Sequence, residues 1–132
     1  MTFFTIHEKN MIEKNHLNDK IYTVVQDAFT TDNGYSGELS KHMSEGVFQD
    51  INVFNRYSIN NPQNKNSYRV NFSLKKDSQI LITGLFIVKM TYSIELKDLQ
   101  SKSVSGSWNI PATFTIIILG DKFYIFDESE PA

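Results

Sequence analysis

The sequence predicts an α+β fold: N-terminal helices, one long and one or two short, packed on a curved four-stranded antiparallel meander with a cone-like outline. Three observations predict it. Apolar residues recur with a helical period over residues 5–58. The period changes to two over residues 67–127, which marks strands. The two halves are segregated along the chain, the pattern of an α+β domain rather than of alternating strand–helix units. Residues 128–132 read as a polar tail, and one domain spans residues 1–132.

The long helix rests on Leu17, Ile21, Val24, Val25 and Ala28, which fall at i, i+4, i+7, i+8 and i+11 on one face, with Phe29 widening it. Thr5-Ile6-His7-Glu8 fits a capping box at its start, in which Thr and Glu satisfy free backbone N–H groups. Asn33-Gly34 stops it, because glycine tolerates the left-handed conformation at a helix end. A short turn of helix and then a second helix follow. Ser44 is the expected N-cap of that second helix, and Val47, Phe48, Ile51 and Phe54 form its narrow apolar stripe. The polar run at residues 60–66, NNPQNKN, ends the helical half.

In YRVNFSL, Tyr68, Val70, Phe72 and Leu74 alternate with polar residues as in a half-buried strand. KKDSQ is expected to turn the chain. ILITGLFIVKMTYSIEL would then be a second strand; straight, it would run about 55 Å, too long for a domain about 30 Å across. A bend at Gly84 is therefore expected. KDLQSKSVSGS reads as a flexible connection. WNIPATFTIII places Ile110, Ala112, Phe114, Ile116 and Ile118 on one face, and Pro111, which has no N–H, puts the start of that strand at an edge or bulge. Gly120-Asp121 turns into the last strand, KFYIF. Ile117 and Leu119 make the opposite face of the third strand apolar as well, which raises the question of what covers them.

Composition bounds the function. The formal charge is −2, with 13 basic residues scattered along the chain, so no concentrated positive patch for nucleic acid is expected. Absence of cysteine rules out thiolate chemistry, disulfides and cysteine-ligated metals. The start, MTFFTIHEKN, lacks the basic-then-apolar order of a signal peptide, and no run reaches the ~18 apolar residues of a spanning helix.

The side chains that could carry chemistry do not assemble into a known catalytic pattern. His7, His16 and His42 form no ligand pair; His7 and His16 lie on opposite faces of one helix. Asp121, Asp127, Glu128 and Glu130 read as turn chemistry and a solvated tail. SVSGS lacks the strand-to-helix elbow of a serine nucleophile, and no glycine-rich phosphate loop occurs. No catalytic, cofactor-binding or metal-ligating residue is assigned. The candidate pocket or interface residues are Arg69, Tyr92, Trp108, Ile117, Leu119 and Tyr124, with Tyr92 and Arg69 as its polar groups.

The long first helix, the segment ELSKHMSEGVFQDINVF, the long bent strand and the terminal hairpin TIIILGDKFYIFDES resemble the nuclear-transport-factor-2-like superfamily. The resemblance is one of architecture and covers residues 5–127; its motif is Gly120, Asp121, Lys122, Phe123, Tyr124, Ile125 and Asp127. It implies a cone between helices and sheet. In the superfamily's enzymes that cone holds a buried Asp/His or Tyr/Asp pair, and this chain has no His in any strand. The resemblance thus implies a non-enzymatic interaction or scaffold domain, similar to the extracytoplasmic domains of Gram-positive conjugative transfer and type IV secretion machines. The expected partners are proteins, self-association included, with no nucleic acid and with membrane contact only through an anchor outside this chain. The expected location is the extracytoplasmic face of the cell membrane if the chain is part of an anchored protein, and the cytoplasm otherwise. The competing expectation is a small-ligand binder or isomerase-type enzyme that uses the cone as a pocket.

Overall fold

Burying the helical stripe against one face of the sheet explains most of the architecture in the computed structural model. The structure describes residues 6–61, 63, 64 and 66–131, with the side chains of the first helix described from His16 onward. Helix α1 runs Ile6–Thr30, followed by the short helices α2 (Gly37–Ser40), α3 (Glu45–Ile51) and α4 (Val53–Arg56). Four strands follow: β1 (Arg69–Ile82), β2 (Leu85–Lys97), β3 (Ser103–Leu119) and β4 (Lys122–Ser129). They form an antiparallel meander in the order β1-β2-β3-β4, not closed into a barrel. The α+β reading therefore holds. Thr5 of the expected capping box lies outside the described residues, as do the side chains of Glu8 and His7.

Ile21, Val25, Ala28 and Phe29 of α1 are fully buried, the face that the spacing predicts. They meet the inward residues of β2, from Phe86 to Leu96 at every second position, and Ala112, Phe114 and Ile116 of β3. Phe29 sits at the centre, its ring 4.7 Å from that of Tyr92 and 4.9 Å from that of Phe72. Such tilted aromatic contacts add to the burial of apolar area. Tyr22 donates a hydrogen bond to the Leu74 carbonyl (2.7 Å), which fixes α1 along β1.

The expected single second helix is two. Asn52 is extended (φ −62, ψ 127) between α3 and α4; its side-chain oxygen accepts from the Asn55 N–H and so caps α4. Its amide nitrogen donates to the carbonyls of Ala28 and Thr31, each at 2.9 Å. One buried side chain thus satisfies orphan groups of two helix ends. Ser44 caps α3 as expected.

The expected turn at KKDSQ is corrected. β1 continues through Lys75 and Lys76 to Ile82, absorbing Asp77 as a bulge. The reversal comes at Thr83 (φ 43) and Gly84 (φ 81), two positive-φ residues in succession, the conformation that suits the twist of a two-residue hairpin. Gly84 is therefore a turn residue and not a bend within one strand. The sequence KDLQSKSVSGS is only partly a connection, because β3 begins at Ser103. Asp98 closes the short turn by accepting hydrogen bonds from the N–H groups of Gln100 and Lys102. Pro111 lies beyond the end of the β4 ladder, which stops at Thr113, so one flank of β3 carries no neighbouring strand there.

β4 also extends past the expected boundary. Phe126 is bulged out opposite the Thr115/Ile116 step, and the strand goes on to Ser129, with Glu128 opposite Phe114. The free edge of β4 is partly covered by residues 42–44: Ser44 N–H bonds the Ile125 carbonyl and Ile125 N–H bonds the His42 carbonyl. His42 stacks on Phe123 with ring centroids 4.5 Å apart.

Candidate functional site

Two places on the fold concentrate polar or exposed groups beyond what folding requires. The first lies under α4, where the C-terminal segment returns to the core. Tyr92, 1% exposed, donates its hydroxyl proton to Glu130 Oε1 at 2.6 Å. Arg56 of α4 donates one guanidinium nitrogen to the Tyr92 hydroxyl and the other to Glu130 Oε2 at 2.8 Å. Its guanidinium also lies 5.2 Å from the Tyr92 ring centroid. Glu128 completes the cluster, with one carboxyl oxygen buried and without a hydrogen-bond partner.

Electrostatics divide the two carboxyls into different protonation states. Burial, then a hydrogen bond and repulsion from Glu130, push the Glu128 carboxyl up to about 8, so it is protonated at neutral pH. Burial alone would raise Glu130 too, but hydrogen bonds from Glu128, Tyr92 and Arg56 outweigh it and hold Glu130 below its ordinary range. Burial and the neighbouring Glu130 raise the Tyr92 hydroxyl far above its ordinary value, against the opposing effect of Arg56. The Arg56 guanidinium loses solvation, but its hydrogen bonds to Tyr92 and Glu130 more than restore the charged form. A protonated acid, a carboxylate, a neutral phenol and a cation thus meet in one cluster, with one Glu128 oxygen left unpartnered. The reading of Glu128 and Glu130 as a solvated tail is corrected: both side chains are partly buried, and Glu130 ties the C-terminal segment to α4 and β2.

The second place is the outer face of the sheet at the β1–β2 turn. Strand register puts Ile82 opposite Leu85, Leu85 opposite Ile117 and Ile117 opposite Tyr124, an apolar rung across all four strands. Ile80 faces Ile87 beside it. Ile80 and Ile82 are half exposed, and Leu119 is 70% exposed. Among the described residues, this is what the Ile117/Leu119 side presents to solvent. Contiguous exposed apolar surface of this kind marks contact sites in folded proteins.

The expected site residues therefore separate. Ile117, Leu119 and Tyr124 share the hairpin-end surface. Tyr92 is on the opposite, inner face, where its partners are Arg56 and Glu130, and it does not share a pocket with Arg69. Arg69 is exposed at the start of β1, opposite Lys97. Trp108, more than half exposed, stands on the outer face at the other end of β2. Sequence reasoning missed Arg56, Glu128 and Glu130. Among the described residues, no three His, Asp or Glu side chains gather as a metal site would require. No described helix is long and apolar enough to cross a membrane.

No family model matches the chain, and no curated protein does. Among solved structures, it is similar to the intermembrane-space region of the chloroplast protein ARC6, at 14% identity and a TM-score of 0.51. The likeness covers 90% of this chain and 94% of that one, and is one of fold.

Proposed function

We propose that the chain is a non-enzymatic protein-interaction domain that works as part of a membrane-associated scaffold. The observation that carries this reading is the apolar rung Ile82–Leu85–Ile117–Tyr124, flanked by exposed Ile80 and Leu119, on a sheet face with no helix across it among the described residues. Burying such a surface against a partner is favourable at about 25 cal/mol per Å² of apolar area. Its position at a sheet end suits self-association or docking of another protein. A similar fold in an intermembrane-space region lends support by analogy to work beside a membrane.

The finer reading extends the architectural resemblance to the nuclear-transport-factor-2-like superfamily. In it the domain stands on the extracytoplasmic side of a Gram-positive conjugative transfer or secretion machine, held by an anchor outside this chain. The alternative enzyme reading needs a cone open to substrate. The groups converging on Tyr92 are committed to one another, and they line neither the groove at Trp108 nor the cavity beside Asn33, Asn52 and Asn60.

Sedimentation velocity tests the reading, with the double variant Ile82→Lys/Leu119→Lys beside the parent chain. Concentration-dependent association is expected on the order of 10–100 μM, and its loss is expected in the variant. A parent chain that stays monomeric, and that yields no protein adduct from a photocrosslinker at Leu119 in the producing cells, would refute it.

A further inference from the structure

At the far end of β2 from the hairpin surface, the outer face carries a groove of about 170 Å³ lined by Asn71, Ser73, Ser93, Glu95 and Trp108, with Phe72 and Ile94 at its floor. Its polar side chains form two rungs: Asn71 lies opposite Glu95, and Ser73 lies opposite Ser93. Asn71 donates to the Glu95 carboxylate at 3.3 Å, and Lys97 stands 3.6 Å from the same oxygen. Trp108 forms the wall.

The backbone around Trp108 is arranged to hold the indole in place. Trp108 and Asn109 bulge opposite Ser93, between the pairs Tyr92–Ile110 and Ile94–Ser107. Bulges of this kind re-aim a side chain. Asn109 takes φ +55, uncommon outside glycine, and its N–H is bonded to Ser93 Oγ at 2.9 Å. Gly106 leaves room for the ring: a Cβ there would lie 2.8 Å from indole Cζ2 and Cη2 and 2.5 Å from the Ile94 carbonyl oxygen. A left-handed Asn, a glycine that no other side chain could replace, and an exposed aromatic plane have no role in the core. Core burial would hide the ring, yet it is 56% exposed.

We propose that this groove is a carbohydrate site that seats one pyranose ring of a neutral or N-acetylated glycan. The C–H face of the sugar stacks on the indole. Its hydroxyls meet the Asn71 amide, the Glu95 carboxylate and the Ser73 hydroxyl. The chemistry matches: a flat apolar plane beside planar amide and carboxylate groups recognises a ring that is apolar on its faces and hydroxylated at its rim. The groove's lining holds no cation of its own, and its one carboxylate, Glu95, is paired with Lys97. The site is independent of the hairpin-end surface and stands or falls separately from it.

Trp108 is the single tryptophan of the chain, so its fluorescence reports on the groove directly. The experiment titrates the chain with cellohexaose and with chitohexaose and follows indole emission. A saturable change is expected with at least one, with a dissociation constant on the order of 0.1–1 mM. Asn71→Ala, an exposed change that keeps the reporter, should weaken it about tenfold. Trp108→Ala, followed by calorimetry, should abolish it, with circular dichroism verifying that both variants fold. The proposal is overturned if neither sugar changes the emission up to about 20 mM. It is also overturned if Asn71→Ala binds as the parent does, or if an apolar dye shifts the emission while both sugars leave it unmoved.

Discussion

Glu128 shows how strongly a single side chain can depend on its surroundings. Its folded-state value of about 8 lies above the ordinary 4.5, so between those two pH values the folded state holds a proton that the unfolded chain has released. Stability therefore falls as pH rises from about 4.5 to about 8. Glu130 acts in the opposite sense, since its lowered value contributes stability above the ordinary carboxylate range that is lost on acidification. Glu128→Gln keeps the shape and removes the titration. In thermal melts, the parent should lose on the order of 1 kcal/mol across that window, after allowance for water reaching a half-buried pair, while Glu128→Gln stays flat. Equal slopes for both proteins would exclude Glu128 as the cause. Removing the cation is harsher: Arg56→Met strands the Glu130 carboxylate and should cost about 3 kcal/mol in urea unfolding.

At the scale of elements, the junctions carry most of the information. Asn52 caps α4 and also ties down the end of α1, so Asn52→Ala should cost about 2–3 kcal/mol, read as a shift in the urea midpoint without a change in slope. The Thr83-Gly84 hairpin makes the opposite prediction. Thr83 is β-branched and sits at φ 43, where Asn is better tolerated. Thr83→Asn should stabilise by about 0.5–1 kcal/mol, and a lower melting temperature would contradict the turn assignment. The hairpin was hard to place from sequence because KKDSQ has the composition of a turn. Pairing with β2 over the whole length, and a bulge that absorbs Asp77, overrode that local preference.

On the scale of the whole molecule, one side of the sheet is filled by the helices and the other carries the two candidate surfaces. Since Ile80, Ile82 and Leu119 contribute little to the core, the interface variant Ile82→Lys/Leu119→Lys should melt within about 0.5 kcal/mol of the parent. The proposed contact surface and stability are thus separable on that face. The inner cluster has no such freedom, because Tyr92 lies in the core and its hydroxyl joins α4, β2 and the C-terminal segment.

The sequence by itself determined the α+β class, the buried face of α1, the parity of β2 and β3, and the apolar outer flank at Ile117 and Leu119. These follow from periodicity, which is a local property written along the chain. Only the tertiary structure decided that Arg56, Tyr92, Glu128 and Glu130 meet. Glu130 lies 74 residues from Arg56 in sequence, and a one-residue bulge at Phe126 reverses the parity of β4 and turns Glu128 inward. The structure also placed Trp108 beside Asn71 and Glu95, through a bulge and a glycine whose roles appear only when three strands are aligned. Register shifts and long-range pairings are set by the packing of whole elements, so residues that depend on them leave no periodic trace in the chain.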